Sequence, residues 1–237
     1  MFNKKGLALF VSGVDTDAGK TYVTARLAAQ WLAEGHKVIT QKPVQTGCHD
    51  VAEDLVEHRK VMGCGLLPED RDGLTCSFLF RKPASPALAA RLEGAEIDPA
   101  KIDSDLRELA EHFDVVLVEG AGGLMVPLRD DLLTIDYVAS RRLPLALVAT
   151  SKLGGINHAL LSIEACETRG VDLRLVVFNR LPQDEDVMAD DSLAAIRSFT
   201  SRLFPNAVVV DFRGQDSLAG LDVEALAGPV VTEASTV

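Results

Sequence analysis

A glycine-containing loop between a predicted strand and a predicted helix, near the start of the chain, constrains its fold most strongly. Residues 13–21 read Gly-Val-Asp-Thr-Asp-Ala-Gly-Lys-Thr and directly follow the apolar run 7–11. Backbone N–H groups of such a loop curl around an anion, and the N-terminus of the following helix adds its dipole. The sequence therefore predicts a phosphate-binding loop, in which Lys20 neutralises phosphates and the Thr21 hydroxyl coordinates Mg²⁺. The alternative is a strand-to-helix turn with a buried glycine and a surface lysine.

The composition is that of an ordinary soluble enzyme, of one large domain or two small ones, and it argues against some classes of partner. The 237 residues suffice for one large domain with a full core, and 47% of them are hydrophobic. A net charge of −11 argues against nucleic-acid binding, because contacts with a phosphate backbone need a basic face. An acidic chain that uses ATP must therefore concentrate its positive charge within the site.

The cysteines and the apolar runs indicate where in the cell the protein is expected. The four cysteines show no Cys-x-x-Cys spacing and no nearby histidine pair, so a zinc site and a disulfide framework are disfavoured. A reducing cytoplasm is the expected environment. No stretch approaches the roughly 18 consecutive apolar residues of a membrane span, and the N-terminus lacks an extended apolar signal core. Neither a membrane segment nor a secretory signal is predicted.

Short apolar runs alternate with helical patterns along the chain. Predicted strands cover residues 7–13, 37–42, 115–118, 145–150, 173–179 and 207–212. Predicted helices cover residues 21–34, 52–62, 85–93, 99–112, 156–169 and 187–203. Several strands are continuous runs of Val, Leu and Ile, which is typical of parallel strands covered by helices on both faces. The alternation predicts an α/β fold of P-loop NTPase type, a doubly wound and mostly parallel sheet with right-handed crossovers.

The chain shows no internal repeat, no low-complexity tract and no clear linker, so we expect a single domain over residues 1–237. The stretch 63–84 has no regular pattern and is interpreted as an irregular surface excursion. The weakly patterned tail from residue 214 is expected to be partly mobile.

Polar residues follow the second predicted strand, at the end of the sheet where ligands of such folds bind. Lys42 precedes Pro43, and the residue before a proline avoids the α region, so Lys42 is expected in an extended loop near the phosphate site. There it would stabilise charge on a transferring phosphoryl or acyl oxygen. Asp54 comes early on the next helix, where an acid is favoured by the dipole alone, and its position after the Lys42 loop also permits a Mg²⁺ role.

An acidic residue ends the strand at 115–118. Glu119 occupies the place of a Walker-B carboxylate, which holds a metal directly or through water. Gly120, Ala121 and Gly122 follow it, and glycines let the backbone pass close to phosphate. A tight turn with an incidental glutamate is the alternative interpretation.

A second anion-binding pattern follows the strand at 145–150. Residues 151–158 read Ser-Lys-Leu-Gly-Gly-Ile-Asn-His and open a predicted helix. Two glycines and exposed N–H groups at a helix start suit a carboxylate. His158 is assigned no chemistry, because a lone histidine on a helix is more often structural.

These motifs, in this order and spacing over residues 7–180, resemble the dethiobiotin synthetases, ATP-dependent ligases that close a ureido ring in biotin biosynthesis. The motifs are 13–21, Lys-Pro-Val-Gln-Thr-Gly at 42–47, Val-Glu-Gly-Ala-Gly-Gly at 118–123, Lys-Leu-Gly-Gly-Ile-Asn-His-Ala at 152–159, and Asn179. Five residues separate Gly13 from Gly19, against four in the standard P-loop, and this displacement is what that family shows.

The resemblance implies a role for each matching residue. Catalytic roles fall to Thr16, Lys20 and Lys42. Contacts with ATP fall to Asp17, Ala18, Gly19, Lys20, Thr21 and Tyr22, to Gly120, Ala121 and Gly122, and to Asn179 and Arg180, with Asn179 reading the nucleobase. The Mg²⁺ ligands would be Thr21, Asp54 and Glu119. Contacts with the substrate fall to Thr46, and across a homodimer interface to Gly155, Ile156 and Asn157, which bind its carboxylate.

The resemblance also implies the reaction and the cofactors. Diaminopelargonic acid and CO₂ would be the substrates, with ATP and Mg²⁺ as cofactors and a carbamate and a carbamic–phosphoric anhydride as intermediates. The chain departs from the family's pattern after the last strand, where Asp-Phe-Arg-Gly-Gln at 211–215 replaces a proline-containing turn.

Three other functions are weighed against this one. A ParA/MinD-like regulatory ATPase carries a signature lysine five residues before the P-loop lysine, and that position is Asp15 here. An amidoligase related to cobyric acid synthase would need a further glutaminase domain with a nucleophilic cysteine. A small-molecule kinase leaves the helix start at 154–157 without a purpose.

Overall fold

The structure is a computed structural model that describes residues 6–181 and 185–230. The main strands are β1 (Leu7–Gly13), β2 (Val38–Gln41), β3 (Val44–Thr46), β4 (Phe78–Phe80), β5 (Val115–Gly123), β6 (Pro127–Arg129), β7 (Leu132–Leu133), β8 (Leu145–Thr150), β9 (Leu173–Asn179), β10 (Val208–Phe212) and β11 (Gly228–Pro229). The α-helices are α1 (Lys20–Ala33), α2 (Glu53–Val61), α3 (Pro68–Arg71), α4 (Pro86–Leu92), α5 (Pro99–His112), α6 (Thr134–Ser140), α7 (Gly155–Thr168), α8 (Asp186–Leu203) and α9 (Val223–Leu226).

The central sheet is parallel except for one short strand. Its order is β10-β9-β8-β1-β5-β2, and β11 pairs with β1 in the antiparallel sense. The later strands β8, β9 and β10 lie on one side of β1, and β5 and β2 lie on the other. The strand order therefore reverses at β1, and in such sheets the crevice at the carboxyl ends beside this reversal receives ligands.

Alternate residues of the strands face two separate helical layers. Ala8 and Phe10 of β1 pack in the core cluster that includes residues of α5, α6 and α7. Leu9 and Val11 pack in the cluster formed with α1 and α9. Since successive side chains of a strand point to opposite faces, continuous apolar strands must be covered on both sides. The predicted doubly wound α/β architecture is confirmed. The predicted helices and strands match the observed ones to within one residue at each end, except that β5 continues to Gly123 instead of ending at Val118.

The stretch 63–84 differs from the irregular excursion that we expected. It contains α3 and β4, and β4 pairs in parallel with β3 to form a separate two-stranded sheet. The side chain of Asp70 is fully buried in an ion pair with Arg59, and Thr75 is also buried. The prediction was wrong because the pattern over these residues is short and polar, while the order comes from pairing with distant parts of the chain.

The C-terminal part of the described chain is built on α1 and β1. A 3-10 turn at Gln215–Leu218 precedes α9, and the indole N–H of Trp31 donates to the carbonyl oxygen of Leu221 at 2.7 Å. Residues 231–237 of the tail that we expected to be mobile lie outside the described residues. Among the helices of the described ranges, none has both the length and the apolar character needed to cross a bilayer.

Candidate functional site

The loop between β1 and α1 has the strand–loop–helix geometry expected of a phosphate-binding loop. Gly19 adopts a left-handed conformation with φ of 90°, and a Cβ atom there would collide with the side-chain amide of Asn179. The Asp15 carboxylate accepts the N–H of Thr16 at 2.8 Å, and Ala18 is buried. Glycine is therefore required at position 19, since a side chain would meet both backbone strain and a steric clash.

The Lys20 side chain folds back across this loop. Its Nζ donates to the carbonyl oxygens of Asp15 at 3.1 Å and Thr16 at 3.2 Å. Burial, and next to it the positive charge of Lys42, lower the pKa of Lys20 to about 8. An anion in the loop would restore the charged state that burial disfavours, so the site is electrostatically prepared for phosphate.

The register of β2 and β5 brings Lys42 beside Glu119. Thr40 pairs with Leu117 and Gln41 pairs with Val118, so the next residues of the two parallel strands are neighbours. The backbone N–H of Lys42 donates to the carbonyl oxygen of Thr75 at 2.7 Å, which anchors the loop that the sequence predicted to be extended.

Glu119 is the centre of a buried polar cluster. Its Oε1 accepts from Lys42 Nζ at 2.8 Å and from the Thr21 hydroxyl at 3.0 Å. Lys42 Nζ also lies 2.6 Å from Asp54 Oδ2 and donates to the carbonyl oxygen of Gly120 at 3.2 Å. We call Thr21, Lys42, Asp54, His58 and Glu119 the Glu119 cluster. Most of its members come from elements far apart in sequence, and all meet at the carboxyl ends of the strands.

The charges of the Glu119 cluster stabilise one another. Burial alone would raise the pKa of Glu119, but Lys42 and His58 outweigh burial and hold that pKa well below its usual value. Burial alone would lower the pKa of Lys42, but Glu119 and Asp54 outweigh it and raise that pKa above its usual value. Both groups are therefore ionised throughout the neutral pH range.

The oxygen atoms of this cluster suit a hard divalent cation. Within the described residues, no group of three or more His, Cys, Asp or Glu side chains is arranged to hold a metal ion by itself. The cluster instead offers two carboxylates, Asp54 and Glu119, and the Thr21 hydroxyl. Mg²⁺ in nucleotide sites needs only such a small protein contribution, because phosphate oxygens and waters complete its coordination.

Asn179 and Arg180 occupy different environments at the end of β9. The Asn179 amide donates to the carbonyl oxygen of Ala18 at 3.0 Å, so this side chain touches the phosphate-binding loop directly. The Arg180 guanidinium pairs with Asp211 at 2.6 Å and also with Asp190. These acids, Asp211 first, raise the pKa of Arg180 above its usual range. In this structure the Arg180 guanidinium therefore forms ion pairs with carboxylates of its own chain.

Two further residues of the predicted nucleotide site lie at the surface. Asp17 is exposed in the loop, and Tyr22 is 40% exposed on the first turn of α1. The Tyr22 ring meets Phe212 edge-on at 5.8 Å, and the Arg26 guanidinium lies 5.1 Å from the Tyr22 ring centroid. The residues that replace the expected proline-containing turn therefore pack on α1 through Phe212.

Close packing and backbone conformation explain why glycines follow Glu119. A Cβ atom at Gly120 would touch the ring of Phe10, and Gly122 adopts φ of 67°. Ala121 and Gly122 are half-buried, so the backbone here is open to the crevice on one side. The sequence predicts a turn at these glycines, but the structure instead extends β5 through them to Gly123.

The residues predicted to bind the substrate lie in two different places. Thr46 ends β3, is half-buried, and lies four residues beyond Lys42. Ile156 and Asn157 instead line a surface groove of about 650 Å³ formed with Leu153, Val187 and Met188. This groove lies between the start of α7 and the start of α8.

Apolar side chains around this groove are unusually exposed. Leu153 is 87% exposed and Val187 is 80% exposed. Lys152 links the groove to the phosphate-binding loop, because its Nζ lies 2.8 Å from Asp15 Oδ2. Gly155 is buried, and a Cβ atom there would collide with the carbonyl oxygen of Thr150. Gly155 is thus required by packing, whatever else it does.

The sequence analysis did not single out His58, Arg59 or Asp70. His58 Nε2 lies 2.8 Å from Glu119 Oε2, and Arg59 pairs with Asp70 at 2.7 Å. A signal was available, because His58 follows Asp54 by four residues on a predicted helix and therefore shares its face.

The fold and the loop define a class, the P-loop α/β nucleotide-binding proteins, and the comparisons with known proteins agree. Residues 7–209 match the model of a family described as AAA domain. The signal recognition particle receptor FtsY of Elizabethkingia anophelis superposes with a TM-score of 0.52 at 17% identity, over 90% of this chain and 60% of that one. At this identity the likeness supports the fold alone.

Sequence relatives define the family more narrowly. The ATP-dependent dethiobiotin synthetase BioD of Chlorobaculum tepidum is 46% identical over 221 residues, which cover 93% of this chain and 91% of that protein. BioD 2 of Haemophilus influenzae is 48% identical over 178 residues, 75% of this chain and 93% of its own. The chain belongs to the family of ATP-dependent dethiobiotin synthetases. The resemblance stated from its motifs is confirmed, and the ParA/MinD-like alternative is set aside.

Proposed function

We propose that this chain catalyses the ATP-dependent ring closure of diaminopelargonic acid with CO₂ to dethiobiotin, releasing ADP and phosphate. One observation carries the proposal: two buried lysines, Lys20 and Lys42, lie with Glu119 beside the phosphate-binding loop. The chain that holds them is a member of the dethiobiotin synthetase family. Lysines at this place can neutralise charge on both a phosphoryl group and a substrate oxygen.

The reaction consists of three balanced steps. One amine of the substrate adds to CO₂ and loses a proton, which gives a carbamate anion. A carbamate oxygen attacks the γ-phosphorus and ADP leaves, which forms a mixed carbamic–phosphoric anhydride. The second amine then attacks the carbamoyl carbon and loses a proton, and phosphate is expelled as the ureido ring closes. Such phosphoryl transfer depends mainly on placement and charge neutralisation.

The nucleotide is proposed to bind along residues 16–22 and along the last part of β5 at 120–122. Lys20 exchanges its carbonyl partners for phosphate oxygens, and backbone N–H groups of the loop donate to the same oxygens. Asn179, which contacts Ala18, is proposed to read the nucleobase. For Arg180 a nucleotide role requires release from Asp211 and Asp190, so we assign it to shaping this edge of the site.

Thr21, Asp54 and Glu119 are proposed to hold Mg²⁺ with the nucleotide. The cation supplies charge neutralisation for the phosphates when it is bound. Lys42 now bridges Asp54 and Glu119, and it can also reach an added anion from this position. We propose that Lys42 stabilises the carbamate oxygen, with Thr16 and Lys20 on the phosphate side of the same crevice.

The site is proposed to be shared between two copies of the chain. Thr46 would contact the diamine in one subunit, while Gly155, Ile156 and Asn157 of the other would bind the substrate carboxylate. The exposed apolar residues Leu153, Val187 and Met188 support this proposal, because a homodimer would cover them. A cytoplasmic location stays a prediction that rests on the four free cysteines.

The homodimer is tested by Leu153→Asp, with Leu92→Asp as the matched control. Leu92 is 58% exposed on α4, remote in sequence from the groove. Sedimentation velocity should show a dimer for the native chain and for Leu92→Asp, and a monomer for Leu153→Asp. A native chain that sediments as a monomer at assay concentration would rule out the shared site.

The reaction is tested by ADP release with the two co-substrates varied independently. ADP should form only when diaminopelargonic acid and bicarbonate, as the source of CO₂, are both present. Hydrolysis of ATP that needs neither compound would instead indicate a regulatory ATPase.

A further inference from the structure

His58 is a buried imidazole that the proposed chemistry does not use. It lies on α2, is fully buried, and contacts polar groups with both ring nitrogens. Nε2 lies 2.8 Å from Glu119 Oε2, and Nδ1 lies 2.9 Å from the Thr40 hydroxyl. A histidine whose two nitrogens are both paired inside the protein has one preferred orientation, and this orientation has a consequence for Glu119.

The tautomer of His58 follows from counting donors and acceptors. The Arg59 guanidinium donates from Nη1 to the Thr40 hydroxyl oxygen at 2.7 Å and from Nη2 to the Thr40 carbonyl oxygen at 3.2 Å. Thr40 Oγ1 therefore already accepts one hydrogen bond, and its own hydrogen is free to point at His58 Nδ1. The ionised Glu119 carboxylate only accepts, so Nε2 must carry the ring hydrogen. The contacts thus place a hydrogen on Nε2, which donates to Glu119.

Arg59 is itself fixed by the segment 63–77. Its Nε and Nη2 donate to the two oxygens of Asp70 at 2.8 and 2.7 Å. Asp70 also accepts from the Thr75 hydroxyl at 2.7 Å, and the Thr75 carbonyl oxygen accepts from the backbone N–H of Lys42. Because Lys42 Nζ donates to Glu119, these contacts close a ring that starts and ends at Glu119.

We propose that His58 is a positioning residue, which holds Oε2 of Glu119 and thereby keeps Oε1 turned toward Thr21 and Lys42. The inference rests on the proposed role of Glu119 toward the Mg–nucleotide complex. Without the imidazole, Oε2 would be a buried carboxylate oxygen with no donor, and the carboxylate could rotate. Hydrogen-bond partners of metal-binding carboxylates commonly set their orientation.

The test compares replacements that differ only in the donor they offer. His58→Gln keeps an N–H donor near the position of Nε2, whereas His58→Leu keeps the volume and removes the donor. His112→Gln is the matched control, because His112 is exposed near the end of α5. The readout is ATP affinity by calorimetry with and without Mg²⁺, in the absence of diaminopelargonic acid and bicarbonate, so that no product forms.

The expected result is a selective loss. His58→Leu should weaken the enhancement of ATP binding by Mg²⁺ about tenfold or more, with metal-free ATP affinity unchanged. His58→Gln should stay within about threefold of the native chain, and His112→Gln should be indistinguishable from it. Equal Mg²⁺ enhancement in the Leu, Gln and native proteins would overturn the proposal, since volume alone would then be sufficient.

A second measurement needs no variant to fold. Long-range ¹H–¹⁵N correlation spectra of the native chain labelled at histidine should show a hydrogen on Nε2 of His58. An Nδ1–H tautomer would overturn the proposal. Neither readout depends on ring closure. ADP release that does not require both diaminopelargonic acid and bicarbonate would refute the proposed function. The role of His58 would still be decided by the spectra and the ATP titrations.

Discussion

The Glu119 cluster and the groove at the start of α7 are built on opposite principles. The cluster is buried, and each of its charges has a partner supplied by the same chain. The groove is open and apolar, and two of its side chains, Leu153 and Val187, are at least 80% exposed. The phosphate side of the proposed site is therefore complete in one chain, while we propose that a second copy of the chain completes the carboxylate side.

This difference shows which interactions position the functional groups of each region. In the cluster, register and long-range hydrogen bonds position the side chains, and removal of one partner leaves a buried charge uncompensated. At the groove, the backbone N–H groups proposed to bind the carboxylate all belong to the start of α7. Within the described residues, no buried charge is stabilised by these N–H groups. Substitutions in the cluster should therefore affect both folding and chemistry, whereas substitutions of exposed groove residues should affect substrate binding or subunit association and leave the fold intact.

The largest effect is expected from Lys20→Ala. The turnover number should fall about 1000-fold, because the phosphates lose their point charge. The thermal midpoint should stay close to the native value, since burial disfavours the ammonium in the free protein. Steady-state ADP release and thermal unfolding measure the two quantities. Native turnover in the variant would remove the assignment of the phosphate-binding loop.

The second effect concerns Glu119→Gln. The amide is a poorer ligand for a hard cation, so the Mg²⁺ concentration for half-maximal rate should rise about tenfold or more. The thermal midpoint should fall as well, because Lys42 loses its buried counter-ion. An unchanged Mg²⁺ dependence together with an unchanged midpoint would reduce Glu119 to a turn residue.

A third prediction sharpens the contrast at the groove. Asn157→Asp places a negative charge where a carboxylate must dock, and the KM for diaminopelargonic acid should rise about 30-fold with ATP affinity unchanged. Asn157 is exposed, so the fold should tolerate the change, unlike any substitution at Gly155. Kinetics with the diamine varied at saturating ATP measure the effect.

Mixing this variant with Lys20→Ala tests whether the two regions act across subunits. Free exchange should restore about a quarter of native activity, because half the dimers would be mixed and each would carry one intact site. The assay uses a diamine concentration near the native KM, where Asn157→Asp alone is nearly inactive. A mixture that exchanges subunits, as seen by mass spectrometry, and shows no more activity than Asn157→Asp alone would place both regions in the same subunit's site.

The smallest effect is a pH dependence of nucleotide binding. Lys20 in the free protein has its pKa lowered to about 8, so the ammonium that binds phosphate is present below that pH and lost above it. The dissociation constant for ATP should rise about tenfold per pH unit above pH 8 and be flat below it. Lys20→Ala should abolish this rise; calorimetry between pH 6.5 and 9.5, as a rough working range, provides the measurement.

Much of the fold could be predicted because its signals are local. The P-loop and the apolar strands depend on a few adjacent residues. The pairing of β3 with β4 could not be predicted, since both strands are three residues long and neither has a distinctive pattern.

The site divides in the same way. Lys20, Thr21 and Glu119 stand in motifs that indicate their chemistry, and the structure brings Thr21 and Glu119 together with Lys42. Arg59 and Asp70 had no such motif, because their importance arises only when α2 and the segment 63–77 pack against β2. Buried polar partners of this kind are set by tertiary contacts, which a pattern along the chain does not reveal.

The most direct test of the whole account is product mass from ¹³C-labelled bicarbonate. Incubation of the native chain with ATP, Mg²⁺ and diaminopelargonic acid should give dethiobiotin one mass unit heavier than with unlabelled bicarbonate, with one ADP formed per product molecule. ATP consumption that leaves the diamine unchanged and unlabelled would contradict the account.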